Sequence, residues 1–364
     1  MRPAALAVTL LALTAAPAAA DVSGPDIVSF INAQRAANGI PAGIVEDPAL
    51  SDGCAKHNAY DAQNNTLTHK EDATKPGYTP EGDTAAQTSV LYTGGPWTAT
   101  SNPFETAPIH LHQLFAPRMD RMGASENGGY GCATTLASLN RPAPPADVTY
   151  TYPGDGREGW PVAQTASEGP HPPGFFVGIP EGTQTGPYLY AMFDGPDLGP
   201  GTDASMGSAT LTGPAGPVDV AVVDNTTPGL EGYLPTGVEV IPRAPLTAFT
   251  PYTAGVSAIV GGRVFTHQWT FTTGGTITGR GYTVGKVTVH KRLVTIAITP
   301  QVPLTIVVRV TGKRKSAELK PQQLAQPGSV SVRIPKALGK KPKVRLTVTA
   351  GDKTTKVVRR IHFT

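Results

Sequence analysis

From about Val148 onward, short β-branched runs alternate with turns rich in Gly and Pro. Runs such as 218–223 and 304–310 are typical of strands in antiparallel sandwiches. The chain holds 41 Gly and 36 Pro in 364 residues, against a usual combined share of roughly 12%. This excess excludes a helical bundle, because both residues disfavour helix interiors. The glycines follow no three-residue period, which excludes a collagen-like chain.

Residues 1–20 have the pattern of a secretory signal peptide. A basic start at Arg2 is followed by an apolar run over 4–13 and by three alanines at 18–20. The run is shorter than the roughly 20 apolar residues of a membrane span, and no later stretch reaches that length. We predict cleavage before Asp21 and a mature chain without a transmembrane segment. The protein is then secreted or associated with the cell envelope.

Cys54 and Cys132 are the two cysteines of the chain. In an oxidising compartment a lone pair of cysteines usually forms a disulfide. The alternatives are two buried free thiols or a reactive nucleophile. The predicted export favours the Cys54–Cys132 disulfide.

Helical signals are confined to the first third of the chain. One predicted helix has Pro25 in its first turn and ends at Gly39. A second begins at Asp47, before a proline, and a third begins at Asn102 and carries residues 106, 110 and 114 on one face. Pro108 falls in the first turns of the third helix, where proline is tolerated.

Charge is divided sharply along the chain. Residues 280–364 hold 19 Lys and Arg against 2 Asp and Glu, a net charge of +17. Residues 21–279 hold 10 against 25, a net charge of −15. Edge lysines that discourage aggregation are one explanation of the basic segment. We favour anionic cell-envelope polymers or lipid headgroups as partners. Nucleic acid is not expected, because the compartment is wrong and few aromatics interleave with the charges.

Three segments of the first third carry a resemblance to a known family. They are 31–39 with 45–50, 54–57 with 67–69, and 107–110 with 121–123. Their order and spacing resemble the bacterial secreted branch of the CAP superfamily (cysteine-rich secretory, antigen 5 and pathogenesis-related proteins). The resemblance covers about residues 24–140. Ala107 and Ile109 stand where the family has the Ser and Gly of S-P-G-H, and Cys54 stands where it has an Ala.

The resemblance implies an α-β-α sandwich with a groove lined by two histidines and, in many members, two acidic residues. By position, His69 and His110 correspond to the histidines. Gln87 replaces one groove glutamate, and Glu105 lies near the place of the second acidic residue. A small apolar ligand or a peptide is the implied occupant of this groove.

Two imidazoles converging beside a carboxylate can bind zinc, which favours nitrogen ligands and tolerates an oxygen. His69 and His110 are therefore candidate metal ligands, with a divalent metal such as zinc as the possible cofactor. His110 and His112 are two residues apart and face different directions on a helix, so we do not expect them to share an ion. The alternative is a structural polar cluster that holds helix ends. His57 is interpreted as a packing residue with a polar tip.

An enzyme is the second functional hypothesis. A hydrolase would use His69, Glu105 and His110, but the chain has no G-x-S-x-G, no H-E-x-x-H and no phosphate-binding loop. We therefore name no catalytic residue and expect a non-enzymatic binding protein. A structural or adhesive envelope protein is the third hypothesis.

Residues 242–273 contain P-x-x-P-L, Y-T-x-x-V and W-x-F-T-T in that order, which resembles bacterial Ig-like domains. Trp269 is predicted to lie in the core, with carbohydrate contact as the alternative. We predict an α+β chain, a CAP-type α-β-α sandwich followed by two all-β Ig-like sandwich domains. The predicted boundaries are a signal peptide at 1–20, a CAP-like domain at 21–147, a Pro/Gly-rich connector with short strands at 148–195, an Ig-like sandwich at 196–275 and a basic sandwich at 280–364.

Overall fold

A computed structural model describes residues 22–93, 97–275, 280–313, 315–324, 327–351 and 353–363. The predicted signal peptide, 1–20, lies outside the described residues. The chain is mostly β-sheet with few helices, consistent with the predicted Ig-like β-domains. Within the described ranges, no helix has both the length and the apolarity needed to cross a bilayer.

Four helices lie in the first third of the chain, and each has a proline at its first or second position. They are α1 Gly24–Ala37, α2 Pro48–Asn64, α3 Pro80–Thr88 and α4 Pro108–Leu114. The side chains of Ser23, Asp47 and Thr79 cap the first three helices by accepting a backbone N–H. Ala107 gives α4 no side-chain cap.

Two helix predictions need correction. The third predicted helix begins at Pro108 rather than near Asn102, because the Asn102 side chain accepts the Phe104 N–H and fixes a turn there. Helix α3 was not predicted. Its sequence signal is the capping Thr79 followed by Pro80, and the helix has only nine residues.

Five short strands accompany these helices. They are β1 Val45–Glu46, β2 Ser89–Thr93, β3 Arg121–Met122, β4 Ala124–Asn127 and β5 Tyr130–Thr134. β2, β5 and β4 form an antiparallel sheet in that order, and β1 pairs with β3 in parallel. α2 packs against α3, β4 and β5. The predicted disulfide is present, and Cys54–Cys132 joins α2 to β5 with both residues fully buried.

Arg35 of α1 is fully buried, and among the described residues it has no carboxylate partner. Its guanidinium donates to the carbonyl oxygens of Pro41, Leu114 and Ala116 at 2.8, 2.9 and 3.0 Å. Burial lowers the pKa of Arg35 to about 9, so the group stays protonated at pH 7. One side chain therefore fixes the C-terminal end of α4 against α1.

The first sandwich is built from two sheets. Its strands are β6 Val148–Tyr152, β7 Arg157–Trp160, β8 Gln164–Thr165, β9 Gln184–Thr185, β10 Leu189–Asp194, β11 Ala204–Gly213, β12 Gly216–Pro217, β13 Val220–Asp224, β14 Gly237–Pro242, β15 Pro251–Val260 and β16 Arg263–Thr273. The sheet orders are β13-β14-β10-β6 and β12-β11-β15-β16-β7, and β8 pairs with β9 separately. Trp269 is 1% exposed, which supports its predicted place in the core.

The segment predicted as a connector, 148–195, contributes strands to both of these sheets. β6 pairs with β10, and β7 pairs with β16 in parallel. The sandwich therefore begins at Val148 rather than near residue 196. Between β8 and β9 the chain passes through a 3-10 turn, Pro173–Val177, that borders the site described below.

The second sandwich follows. Its strands are β17 Tyr282–His290, β18 Leu293–Pro300, β19 Leu304–Thr311, β20 Ser316–Glu318, β21 Gln322–Leu324, β22 Gly328–Arg333, β23 Lys343–Ala350 and β24 Lys353–Arg360. One sheet has the order β17-β18-β22, and the other has the order β20-β19-β23-β24, with β21 also paired to β19. A short 3-10 turn, Lys336–Leu338, precedes β23. Alternating residues of both sheets form a separate apolar core.

Candidate functional site

An open groove of about 860 Å³ lies between the first domain and the first sandwich. We call it the histidine groove, because both His69 and His110 line it. One wall comes from β2, α4 and the end of α3, and the other from residues 167–176 and 229–233 of the sandwich. Apolar side chains from both walls line it, among them Leu91, Ile109, Phe176 and Leu230. The groove therefore depends on two domains.

The two histidines stack with a phenylalanine. The ring of His110 lies nearly parallel to Phe104, with centroids 5.5 Å apart and planes inclined by 10°. His69 also stacks with His110, with ring centroids 6.3 Å apart and planes inclined by 25°. Phe104 is buried, whereas His69 is exposed at the groove mouth. The row of rings places one imidazole inside the groove and one at its rim.

Glu168, from the sandwich, is the carboxylate of this site. Its side chain is 1% exposed, and its Oε2 accepts a hydrogen bond from His110 Nδ1 at 2.7 Å. The same carboxylate accepts the backbone N–H groups of Ile109 at 3.1 Å and His110 at 3.4 Å. Burial raises the pKa of the Glu168 carboxyl, and the hydrogen bonds from His110 and the α4 backbone oppose that rise.

These contacts replace a missing helix cap. Ala107 occupies the N-cap position of α4, where a serine or threonine side chain could accept an amide hydrogen. Alanine cannot do so, and Glu168 accepts the first free amides of α4 in its place. The cap of a first-domain helix is thus supplied by the second domain.

In both imidazoles Nδ1 is hydrogen-bonded, which leaves Nε2 as the unprotonated nitrogen of the neutral ring. The carbonyl oxygen of Ala86 can only accept, so His69 Nδ1 donates to it at 2.9 Å, which leaves Nε2 without its hydrogen in the neutral ring. His110 Nδ1 donates to Glu168, so its Nε2 is free in the same way. Desolvation, followed by the neighbouring His110, lowers the pKa of His69 despite the bond to Ala86. His69 is therefore neutral at pH 7.

Of the other two predicted groove residues, one lines the groove and one does not. Gln87 lines the groove and donates to the carboxylate of Asp83 at 2.8 Å. Glu105 is exposed and is not one of the lining residues, although its neighbour Phe104 is. Glu168 supplies the carboxylate instead. No local signal marked Glu168, which lies 58 residues after His110 in sequence.

The fit of a metal ion can be tested on these residues. Two free Nε2 atoms whose Nδ1 atoms are held by a carbonyl and a carboxylate match the usual outer shell of metal-binding histidines. In the described part of the chain, no group of three or more His, Cys, Asp or Glu residues is arranged to hold a metal. His69 and His110 alone are fewer ligands than a closed structural zinc site needs, so a cation held by this pair would be exchangeable.

His112 faces away from the groove, as its spacing from His110 predicts. It is fully buried and contacts Glu239 of β14, with His112 Nδ1 and Glu239 Oε1 at 3.2 Å. Burial lowers the pKa of His112 to about 3 and raises the pKa of Glu239 well above its usual value. Burial therefore disfavours the charged form of both groups. α4 thus presents one histidine to Glu168 and another to Glu239, and both carboxyls belong to the sandwich.

His57 lies in a second buried polar cluster. Its Nδ1 is 3.0 Å from Glu71 Oε1, and its Nε2 is 3.2 Å from Asp61 Oδ2. Burial opposes protonation, but the two carboxylates outweigh it and raise the pKa of His57. The interpretation of His57 as a packing residue is therefore incomplete, since both ring nitrogens face carboxylates.

Hydrolysis needs a nucleophilic side chain or an activated water. A hydroxyl or thiol nucleophile of Ser, Thr or Cys would lie within hydrogen-bond reach of its base. Among the described residues, neither His69 nor His110 has such a hydrogen bond. The pair His110–Glu168 can orient an imidazole and can accept or release a proton, and the enzyme hypothesis remains untested.

Comparison with known proteins adds little here. No family model matches the chain, and no curated protein matches it. A search of solved structures matches a segment of two fibronectin type III domains from chicken tenascin. The match has 12% identity and a TM-score of 0.21, and covers 48% of this chain and 92% of that one. A match this weak carries no argument about function.

We expect Glu168→Ala to lower the free energy of unfolding by about 1–2 kcal/mol, because it removes a helix cap and leaves buried amides of α4 unpaired. Urea denaturation measures the change. Glu181→Ala is the matched control, since Glu181 is half exposed and contacts His171 outside the α4 cap. An equal effect of the two substitutions would contradict the capping role.

Proposed function

We propose that the chain is a secreted, cell-envelope-associated protein with a CAP-type first domain, which binds a small apolar ligand or peptide in the histidine groove. The carrying observation is the groove itself, an open space of about 860 Å³ whose walls combine apolar side chains with polar ones such as His69, His110 and Glu168. Concave sites with apolar walls and convergent polar groups are the usual form of small-ligand pockets. The basic C-terminal sandwich contacts anionic envelope polymers.

Three observations support this proposal. The first third of the chain combines four helices with the antiparallel sheet β2-β5-β4, as an α-β-α arrangement would. His69 and His110, remote in sequence, meet at one groove. The structural or adhesive hypothesis expects a closed cleft, whereas this groove is open.

Two neighbouring phenylalanines offer a test of groove binding. Phe176 lines the groove, whereas Phe175 is 45% exposed and lies outside the lining. We expect saturable binding of the apolar probe 1-anilinonaphthalene-8-sulfonate, weakened at least fivefold by Phe176→Ala and less than twofold by Phe175→Ala. Fluorescence titration measures both affinities. Equal effects of the two variants, or no saturable binding, would refute the groove as a ligand site.

A cation at the histidine pair is the second candidate function, favoured by the two free Nε2 atoms. When bound, a divalent metal would act as a Lewis acid on a groove ligand. We expect calorimetric titration with Zn²⁺ alone to detect binding at pH 7 that His69→Ala and His110→Ala each reduce at least tenfold. His112→Ala is not a suitable control, because His112 is buried. Gln87→Ala, which keeps both imidazoles, is expected to bind as the unaltered chain does.

A further inference from the structure

The two outer surfaces of the C-terminal sandwich differ in charge. In the β20-β19-β23-β24 sheet, alternate residues point into the core and the others point outward. Five outward, exposed residues of this sheet are basic, and we call them the cationic face: Arg309, Lys343, Arg345, Lys356 and Arg360. The outward positions of the opposite sheet are mainly Thr, Ser and Ala, such as Thr295 and Ser331, which hydrogen-bond to each other across the strands.

Strand register places these cations directly beside one another. Arg309 of β19 is opposite Arg345 of β23, and Lys343 of β23 is opposite Arg360 of β24. Like charges in directly opposite positions destabilise a sheet. Glu318 of β20 is opposite Arg309 on its other side and is the one acidic residue among the described outward positions of this sheet. None of the five cations forms an ion pair with another described residue.

Protection of a sheet edge does not explain this arrangement. Charges that prevent edge-to-edge association belong on edge strands. Arg309, Lys343 and Arg345 lie instead on β19 and β23, the two central strands of the sheet. A cluster that weakens the isolated fold, at positions where solubility does not need it, indicates an anionic partner.

We infer that the cationic face binds a linear polyanion, a polymer with closely spaced phosphate or carboxylate groups. This inference rests on the proposed function and assigns its polymer contact to one face. Neighbouring strands lie about 4.8 Å apart and successive outward residues about 6.8 Å apart. The cations of this face are therefore closely and regularly spaced, which suits the repeated anionic groups of an extended chain.

A bilayer is the less suitable partner. Membrane-surface proteins commonly anchor through interfacial Trp and Tyr side chains. The outward positions of β19, β23 and β24 hold no aromatic residue, and their exposed apolar side chain is Val358. Charge without an aromatic anchor suits a solvated polymer.

Two triple variants of the full mature chain test the inference. Lys343→Gln, Arg345→Gln and Arg360→Gln together remove three charges from the cationic face. Lys286→Gln, Lys291→Gln and Arg333→Gln remove three from the opposite sheet and its β17–β18 turn, and serve as the matched control. Binding to long-chain inorganic polyphosphate is measured between 50 and 300 mM salt (about a sixfold range), which reports the number of contacts displaced.

We expect the variant that lacks three cations of the cationic face to bind polyphosphate at least tenfold more weakly. Its slope of log affinity against log salt concentration should be smaller in magnitude by about 2, because three contacts are lost. The control variant should stay within threefold. Equal weakening of both variants would overturn the assignment of binding to the cationic face, but it would leave polyanion binding by the domain intact. No polyphosphate binding by the unaltered chain would overturn the proposed polymer contact itself. Binding to anionic phospholipid vesicles but not to polyphosphate would assign the face to a membrane and overturn the inference.

Discussion

Replacement of Cys54 and Cys132 by alanine together is expected to lower the free energy of unfolding by about 4–5 kcal/mol. The disulfide closes a loop with a sequence separation of 78 residues, and the chain-entropy model gives about this value for such a loop. The lost bond also lies under the groove, because Leu91 of β2 packs with both cysteines and lines the groove. Urea denaturation of the oxidised protein and the double variant measures the difference.

Reduction of the unaltered protein provides the control for this result. Treatment with dithiothreitol under denaturing conditions, followed by refolding, should give nearly the stability of the double variant. If the free energy of unfolding of the double variant is within about 1 kcal/mol of that of the oxidised protein, the bond contributes little, since the chain-entropy model gives a value roughly fourfold larger. A loss in the double variant without a loss on reduction would point to packing around Cys54 and Cys132 instead.

Arg35→Met is expected to destabilise the fold by roughly 3 kcal/mol or more. Methionine fills similar space but leaves the buried carbonyls of Pro41, Leu114 and Ala116 without their charged donor. Because two of these carbonyls follow His110 closely along the chain, groove binding should weaken in the same variant. Equilibrium denaturation and probe titration together measure both effects.

The matched control for Arg35 is Arg121→Met. Arg121 is 61% exposed and pairs with Asp47 at 3.3 Å, so its loss should change stability by less than about 0.5 kcal/mol. The loss of stability in Arg35→Lys should lie between these two values. A lysine ammonium keeps the charge but lacks the planar, forked guanidinium that reaches three carbonyls at once. Equal losses for Arg35→Met and Arg121→Met would contradict the anchoring role of Arg35.

Local signals predicted the β-rich character of the chain and its first two helices. Pro25 and Asp47 mark helix starts that the structure confirms, because caps and prolines act within a few residues. Alternating apolar residues likewise predicted the strands of the second sandwich. The connector was misjudged because the pairing of β7 with β16 joins Arg157 to Phe271, and no local pattern specifies such a distant partner.

The candidate site was predictable only in part. His69 and His110 were found through motif order, and in the structure the centroids of their rings lie 6.3 Å apart. Glu168 was not found, since a carboxylate that acts across a domain boundary has no fixed spacing from the helix it caps. Glu105 was assigned because it lies near the place of the second acidic residue of the CAP pattern, but its side chain is not among those that line the groove.

The capping of α4 by Glu168 has a consequence for how the chain can be divided. A fragment ending at residue 147 would lose the cap of α4, the buried partner of His112 and one whole wall of the groove. Such a fragment is expected to display exposed apolar surface and unpaired helix amides. We therefore expect the first domain and the first sandwich to fold and to be produced only as one unit.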